Sequence, residues 1–210
     1  MFKKNDVSAF ILAGGLSRRM NKNKSLLKLG EKTIIEIIYE KLESVFENIF
    51  ISTNNADLYE SIPVPKILDH HKNLGPLGGF YASLLETKTD RNFFISCDLP
   101  LVTPEIINEI CGYPSEKDIV VPIIGDYKQY FCGVYRKDCL KTVDGLLSKA
   151  RRRELGKNQN FSMKMLLSKS DFDLINIEES EHYKTGKFLN MNTIADYKLV
   201  QQLYGNLIIA

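Results

Sequence analysis

The chain has 210 residues, 44% hydrophobic and 26% charged, with a formal net charge of +2. That length suits one full core and is short of two, so a single domain over 1–210 is expected, and the charge is too small for the broad basic face of a nucleic-acid binder. The apolar runs are all too short to span a bilayer, and Met1-Phe2-Lys3-Lys4-Asn5-Asp6 lacks the apolar core of a signal peptide, so no membrane association and a cytoplasmic location are expected.

Ser8-Ala9-Phe10-Ile11-Leu12 reads as a buried parallel strand. Ala13-Gly14-Gly15 ends it with little or nothing on Cβ, so backbone N–H groups there can approach an anion. No Asp or Glu occurs from Val7 to Gly30, whereas Arg18, Arg19, Lys22, Lys24 and Lys28 are all cationic. A solvated basic turn is the bland alternative. A charge run directly after a core strand and a glycine pair favours a triphosphate.

Thr33 and Glu36 stand at capping-box spacing, and Ile34, Ile35, Ile38, Leu42 and Val45 follow at helical intervals. Strands are expected over 48–53, 64–68 and 92–97, with a glycine-rich helix start at Gly75 to Leu85 between the last two. Thr103-Pro104 opens the next helix. Strands over 118–122 and 130–135, a helix over 137–147 and a polar stretch over 149–157 come next. A helical piece at 163–167, a strand over 171–177 and a last helix from Thr193, with Asp196 three residues on, complete the pattern. Such alternation predicts a three-layer α/β/α sandwich around a mostly parallel, Rossmann-like sheet.

Ligands of open α/β sheets bind outside the carboxyl ends of the strands. The candidates are therefore the glycine and basic loop, Ser52-Thr53-Asn54, Asp69, and Asp98 in Cys97-Asp98-Leu99-Pro100. Two strand-end carboxylates facing a cationic loop suit a triphosphate with magnesium, which takes one or two protein oxygens and the rest from phosphates and water. Asp98 is the better metal ligand. A capping role competes for it, and a solvated one for Asp69.

No P-loop motif, no G-x-G-x-x-G after a strand and no triad or Cys-His set occurs. Cys97, Cys111, Cys132 and Cys139 form no C-x-x-C pair and read as reduced core residues. His70 and His71 lack a third spaced ligand. Nucleotidyl transfer fits, because it needs positioning and charge neutralisation rather than a protein nucleophile.

Leu12-Ala13-Gly14-Gly15-x-Ser17-x-Arg19-Met20 with Lys24, then Asp69, Gly75-Pro76-Leu77-x-Gly79, Asp98-x-Pro100 and Phe188-Leu189-Asn190-Met191-Asn192-Thr193, resembles the molybdenum cofactor guanylyltransferase family. The resemblance implies a nucleoside-diphospho-sugar transferase-like fold. It implies an enzyme that binds GTP with Mg2+ and transfers GMP to the phosphate of molybdenum-molybdopterin, with cofactor-delivery or acceptor enzymes as possible partners. Leu12, Ala13 and Gly14 would frame the nucleotide, Lys24 would contact phosphate, Asp69 would lie near the guanosine and Asp98 would hold magnesium. Arg19 would offset charge on the leaving phosphates. Gly78, Gly79, Asn190 and Asn192 would line the acceptor side, where amides suit a pterin edge.

The family usually has Gly after the Met and Asp before the Lys, where this chain has Asn21 and Asn23. Its strand-two Asn falls on Ser52 or Asn54. Arg151-Arg152-Arg153 reads as a surface charge run, with an anionic cofactor phosphate as the alternative. Rival functions are a nucleotidyltransferase using CTP or a sugar or alcohol phosphate acceptor, and a non-catalytic nucleotide-binding module.

Overall fold

The computed structural model describes residues 3–14, 23–69, 76–151 and 162–209. In chain order these form β1 (Lys4–Leu12), β2 (Lys28–Leu29), β3 (Lys32–Thr33), α1 (Ile34–Glu43), β4 (Phe46–Thr53), β5 (Lys66–Leu68), α2 (Pro76–Glu86), β6 (Arg91–Ser96) and α3 (Pro104–Gly112). Then follow β7 (Ile119–Ile124), β8 (Tyr127–Lys128), β9 (Cys132–Arg136), α4 (Cys139–Arg151), α5 (Met163–Leu167), β10 (Phe172–Asn176) and α6 (Ile194–Ile209).

The main sheet runs β10-β7-β9-β6-β1-β4-β5, with β8 paired to β7. It is mostly parallel, as expected, except that β9 runs antiparallel to both β6 and β7 and β8 runs antiparallel to β7. The chain returns to β9 through β8, by a turn at Gly125 whose φ of 53° suits glycine. Gly133 in β9 has no room for a side chain, since a Cβ there would lie 2.6 Å from the Val120 carbonyl oxygen.

Each face of the sheet has its own core, which makes three layers. On one face Ile11, Ile51, Phe93 and Val134 pack with Ile34 and Ile38 of α1, Ile106 and Ile110 of α3 and Val200 of α6. On the other Phe10, Phe94 and Tyr135 pack with Phe80 of α2, Val143 of α4 and Met163 of α5. Aromatic contact is continuous there, Phe10 lying 4.9 Å from Phe94 and Phe80 4.5 Å from Phe94 between ring centroids.

Local signals act as their chemistry requires. The Thr33 hydroxyl accepts from the Glu36 amide and the Glu36 carboxylate accepts from the Thr33 amide, so the capping box holds α1. Thr193 and Asp196 make the same reciprocal pair at α6. Thr103 occupies the position before α3 but makes no side-chain cap, its hydroxyl bonding Glu105 instead. Cys111, Cys132 and Cys139 are buried free thiols. Burial pushes the thiols of Cys111 and Cys139 up to about 12, so they stay protonated core groups. Helix α4 starts two residues later than expected and continues to Arg151, into the polar stretch expected after it. Arg152 and Arg153 lie outside the described residues. No helix among the described residues is long and apolar enough to cross a membrane.

Candidate active site at the carboxyl edge of the sheet

Strands β6, β1, β4 and β5 are neighbours and mutually parallel, so their carboxyl ends share one edge. Leu12 pairs with Ser52 on one side and Ser96 on the other, and Thr53 pairs with Leu68. Counting on from these pairs, Gly14, Asn54, Asp69 and Asp98 fall in one row beyond the strand ends. The sheet order reverses between β1 and β6, the switch point at which such sheets open a crevice.

Leu12 and Ala13 are buried, and the Ala13 amide donates to the Ser52 carbonyl at 2.9 Å. A Cβ on Gly14 would lie 3.6 Å from the Asn54 side-chain oxygen. Asn54 is exposed beside the glycine, whereas Ser52 is buried beneath α2. Arg19, Gly15, Asn21, His70 and His71 lie outside the described residues, so the expected role of Arg19 stays an expectation.

Lys24 begins the 3-10 turn Lys24–Leu26, which Asn23 caps by accepting from the Ser25 amide. Its ammonium donates to the Asn192 side-chain oxygen at 2.8 Å, across 168 positions of sequence. Met191 donates its amide to the Asp98 carbonyl at 2.9 Å. Two groups expected on the donor side are thus tied to the segment expected on the acceptor side. Asn190 lies beside Gln129, their side chains 3.5 Å apart.

Asp98 follows β6 and is partly buried. Burial raises its pKa above the usual carboxylate value, while the Ser96 hydroxyl and the Lys24 ammonium pull it down. Such a carboxylate gains from a further cation. Among the described residues no group of three or more His, Cys, Asp or Glu stands ready for a metal. As a hard oxygen ligand, Asp98 fits an ion that takes one or two protein oxygens and the rest from phosphates and water.

Asp69, Gly78 and Gly79 have packing duties that the sequence did not disclose. A Cβ on Gly78 would lie 2.2 Å from an Asp69 carboxylate oxygen, so this carboxylate rests on the first turn of α2, where the helix dipole favours negative charge. A Cβ on Gly79 would lie 2.6 Å from the Ser52 hydroxyl. The glycines let α2 sit against β4 with its amino end at the crevice.

Two residues near the site gave no sequence signal. Lys41 of α1 donates to the Pro100 carbonyl, holding the turn that carries Asp98 from behind. Tyr59 bonds to Ala13, Asn23 and Ser25. Each lies more than ten positions from its partners, which is why spacing could not find them.

The family model of the MobA-like NTP transferase domain matches residues 9–163. The chain is 32% identical over 193 residues to a protein of Clostridium perfringens named probable molybdenum cofactor guanylyltransferase, covering 91% of this chain and 94% of that one. It is 35% identical over 147 residues to the molybdenum cofactor guanylyltransferase of Vibrio vulnificus, covering 68% and 75%. The solved structure of molybdopterin-guanine dinucleotide biosynthesis protein A from Archaeoglobus fulgidus superposes with a TM-score of 0.78 at 19% identity, covering 95% of this chain and 99% of that one. A CMP:2-keto-3-deoxy-manno-octonic acid synthetase solved with CTP shares the fold at a TM-score of 0.67 and 13% identity, covering 96% and 99%.

Proposed function

The chain belongs to the MobA-like NTP transferase family, and on that premise we propose that it transfers GMP from GTP to the phosphate of molybdenum-molybdopterin in the cytoplasm. The names of its curated relatives support the guanylyl donor and the molybdenum cofactor acceptor. The fold alone does not choose the base, since a synthetase solved with CTP shares it. The observation that carries the reading is the stitching of Lys24 and Asp98 to the segment Asn190–Thr193 by the Lys24–Asn192 and Asp98–Met191 hydrogen bonds.

In the reaction an oxygen of the acceptor phosphate attacks the α-phosphorus of GTP. A new P–O–P bridge forms, the bond from the α-phosphorus to the β-bridging oxygen breaks, and pyrophosphate leaves with that electron pair. No side chain acts as a nucleophile. The protein supplies alignment and positive charge where negative charge accumulates.

Leu12, Ala13 and Gly14 frame the nucleotide, with the exposed Asn54 beside Gly14. Asp69 lies toward the guanosine. Lys24 and Arg19 bind phosphate oxygens and offset charge passing to the leaving group. Asn190 and Asn192, with the amino end of α2 at Gly78 and Gly79, receive the acceptor. Magnesium, held by Asp98 and the triphosphate, would neutralise phosphate charge and lower the cost of bringing two anionic substrates together.

The purified protein, given GTP labelled at the α-phosphate, magnesium and molybdenum-molybdopterin, is expected to move the label into a dinucleotide, releasing one pyrophosphate per product. Absence of a labelled dinucleotide, or label transfer from CTP at the same rate, overturns the reading.

A further inference from the structure

Tyr59 ends the 3-10 turn Ala56–Tyr59 that follows β4. Its side chain is almost wholly buried, at 1% exposure, yet its hydroxyl meets polar groups from two other parts of the chain. The Ser25 hydroxyl lies 2.8 Å away, the Asn23 side-chain amide donates at 3.1 Å, and the Ala13 carbonyl oxygen lies at 3.3 Å. A buried phenol is retained when its hydrogen bonds are made, and each of these partners has a place in the site.

The three side chains close a ring. The Asn23 amide N–H donates to the Tyr59 oxygen, the Tyr59 and Ser25 hydroxyls share a hydrogen bond, and the Ser25 hydroxyl meets the Asn23 side-chain oxygen at 2.7 Å. The three groups form one closed network, in which the bonds polarise one another. The Ala13 carbonyl shares the tyrosine proton from outside the ring. The ring also explains why Asn serves at position 23. Its amide supplies the N–H that Tyr59 accepts, whereas a carboxylate would supply only acceptors.

Ala13 precedes the basic stretch and Asn23 stands within it, and Lys24 lies between the two residues of the ring that hold its turn. We infer that Tyr59 is a positioning residue for the donor triphosphate. It fixes the end of β1, where Gly14 offers its backbone, relative to the turn that aims the Lys24 ammonium. This role rests on the proposed binding of GTP and assigns to Tyr59 no contact with the reacting atoms.

Two readouts test it. In the protein without ligands, Tyr59→Phe is expected to speed hydrogen exchange of the Ser25 amide by about tenfold, with the amides of α1 and β4 unchanged. In GTP titrations with magnesium, Tyr59→Phe is expected to weaken binding by about tenfold in the wild-type chain and by less than about twofold in a Lys24→Ala chain. A role in general stability alone predicts equal losses in both chains, and that result overturns the inference. Ser25→Ala opens the same ring while leaving the Asn23 cap on the turn, and it is expected to give the same pattern if Tyr59→Phe does not fold. Unchanged exchange at Ser25 overturns the inference by itself, whereas failure of the wild-type protein to bind GTP overturns the functional reading and this role with it.

Discussion

The ammonium of Lys24 and the side-chain oxygen of Asn192 lie 2.8 Å apart, joining residues 168 positions distant. Lys24 belongs to the proposed donor side and Asn192 to the proposed acceptor side, so each site forms part of the surroundings of the other. An ammonium has three donors, and the bond to Asn192 leaves two for phosphate oxygens. Asn192→Ala is expected to weaken GTP binding roughly 10- to 150-fold, corresponding to about 1.5–3 kcal/mol for a hydrogen bond to a charged group. Calorimetric titration with GTP and magnesium checks this, and an unchanged affinity would show that the two sides are uncoupled.

Burial holds the Asp98 carboxyl above its usual pKa. Between the usual value and the raised one, the fold keeps a proton that the unfolded chain has lost, so stability falls as pH rises through that window. Above it the ionised carboxylate is a net cost to the unliganded fold. Asp98→Asn is therefore expected to raise Tm at pH 7. The same variant is expected to lose transfer by about a hundredfold or more. A lower Tm together with full activity contradicts both halves of the argument.

Gly79 is fixed by the 2.6 Å between its missing Cβ and the Ser52 hydroxyl. Gly79→Ala is expected to destabilise by about 1–3 kcal/mol in urea unfolding, because the helix cannot retreat without leaving its core. Adding Ser52→Ala is expected to recover most of that loss, since the next neighbours of the new methyl lie at 3.7 Å, an ordinary contact. A double variant no more stable than Gly79→Ala alone would show that the clash is not with Ser52.

Lys41 donates to the Pro100 carbonyl, and burial, helped by Lys187, lowers its pKa to about 8 from the usual 10.5. Between those values the unfolded chain holds a proton that the fold has released, so the stability Lys41 contributes rises with pH. The buried thiols act in the opposite direction above pH 9, but they are common to both proteins in a comparison. Wild-type stability minus that of Lys41→Met is expected to grow from pH 7.5 to 9.5, by about 1 kcal/mol or more. A difference independent of pH would show that Lys41 is not desolvated.

Much of the fold was legible because its signals are local. The capping boxes at Thr33 and Thr193 and the apolar runs of β1, β4 and β6 each place an element within a few residues of its true position. The reversed direction of β9 was not legible. A run of apolar residues gives a strand without its sense, and the deciding feature was the short β8 and the positive φ of Gly125. The carboxyl-edge candidates could be ranked by strand ends, which the contiguous order β6-β1-β4-β5 brings onto one edge. What sequence could not supply was second duty. Asp69 rests on Gly78, Gly79 makes room for Ser52, and Tyr59 binds Asn23 and Ser25 from another strand end. Such contacts depend on register and helix approach, and no spacing in the chain encodes them.

The cationic segment after β1 and the carboxylate after β6 are proposed to take a guanine nucleotide with magnesium. Thermal unfolding with each of four nucleoside triphosphates, in magnesium, tests this most directly. GTP at 100 times its dissociation constant is expected to add about 2.7 kcal/mol of stability. CTP, UTP and ATP at the same concentration are expected to add far less, and Asp98→Asn is expected to lose most of the GTP shift. An equal shift with CTP, or none with GTP, would contradict the account.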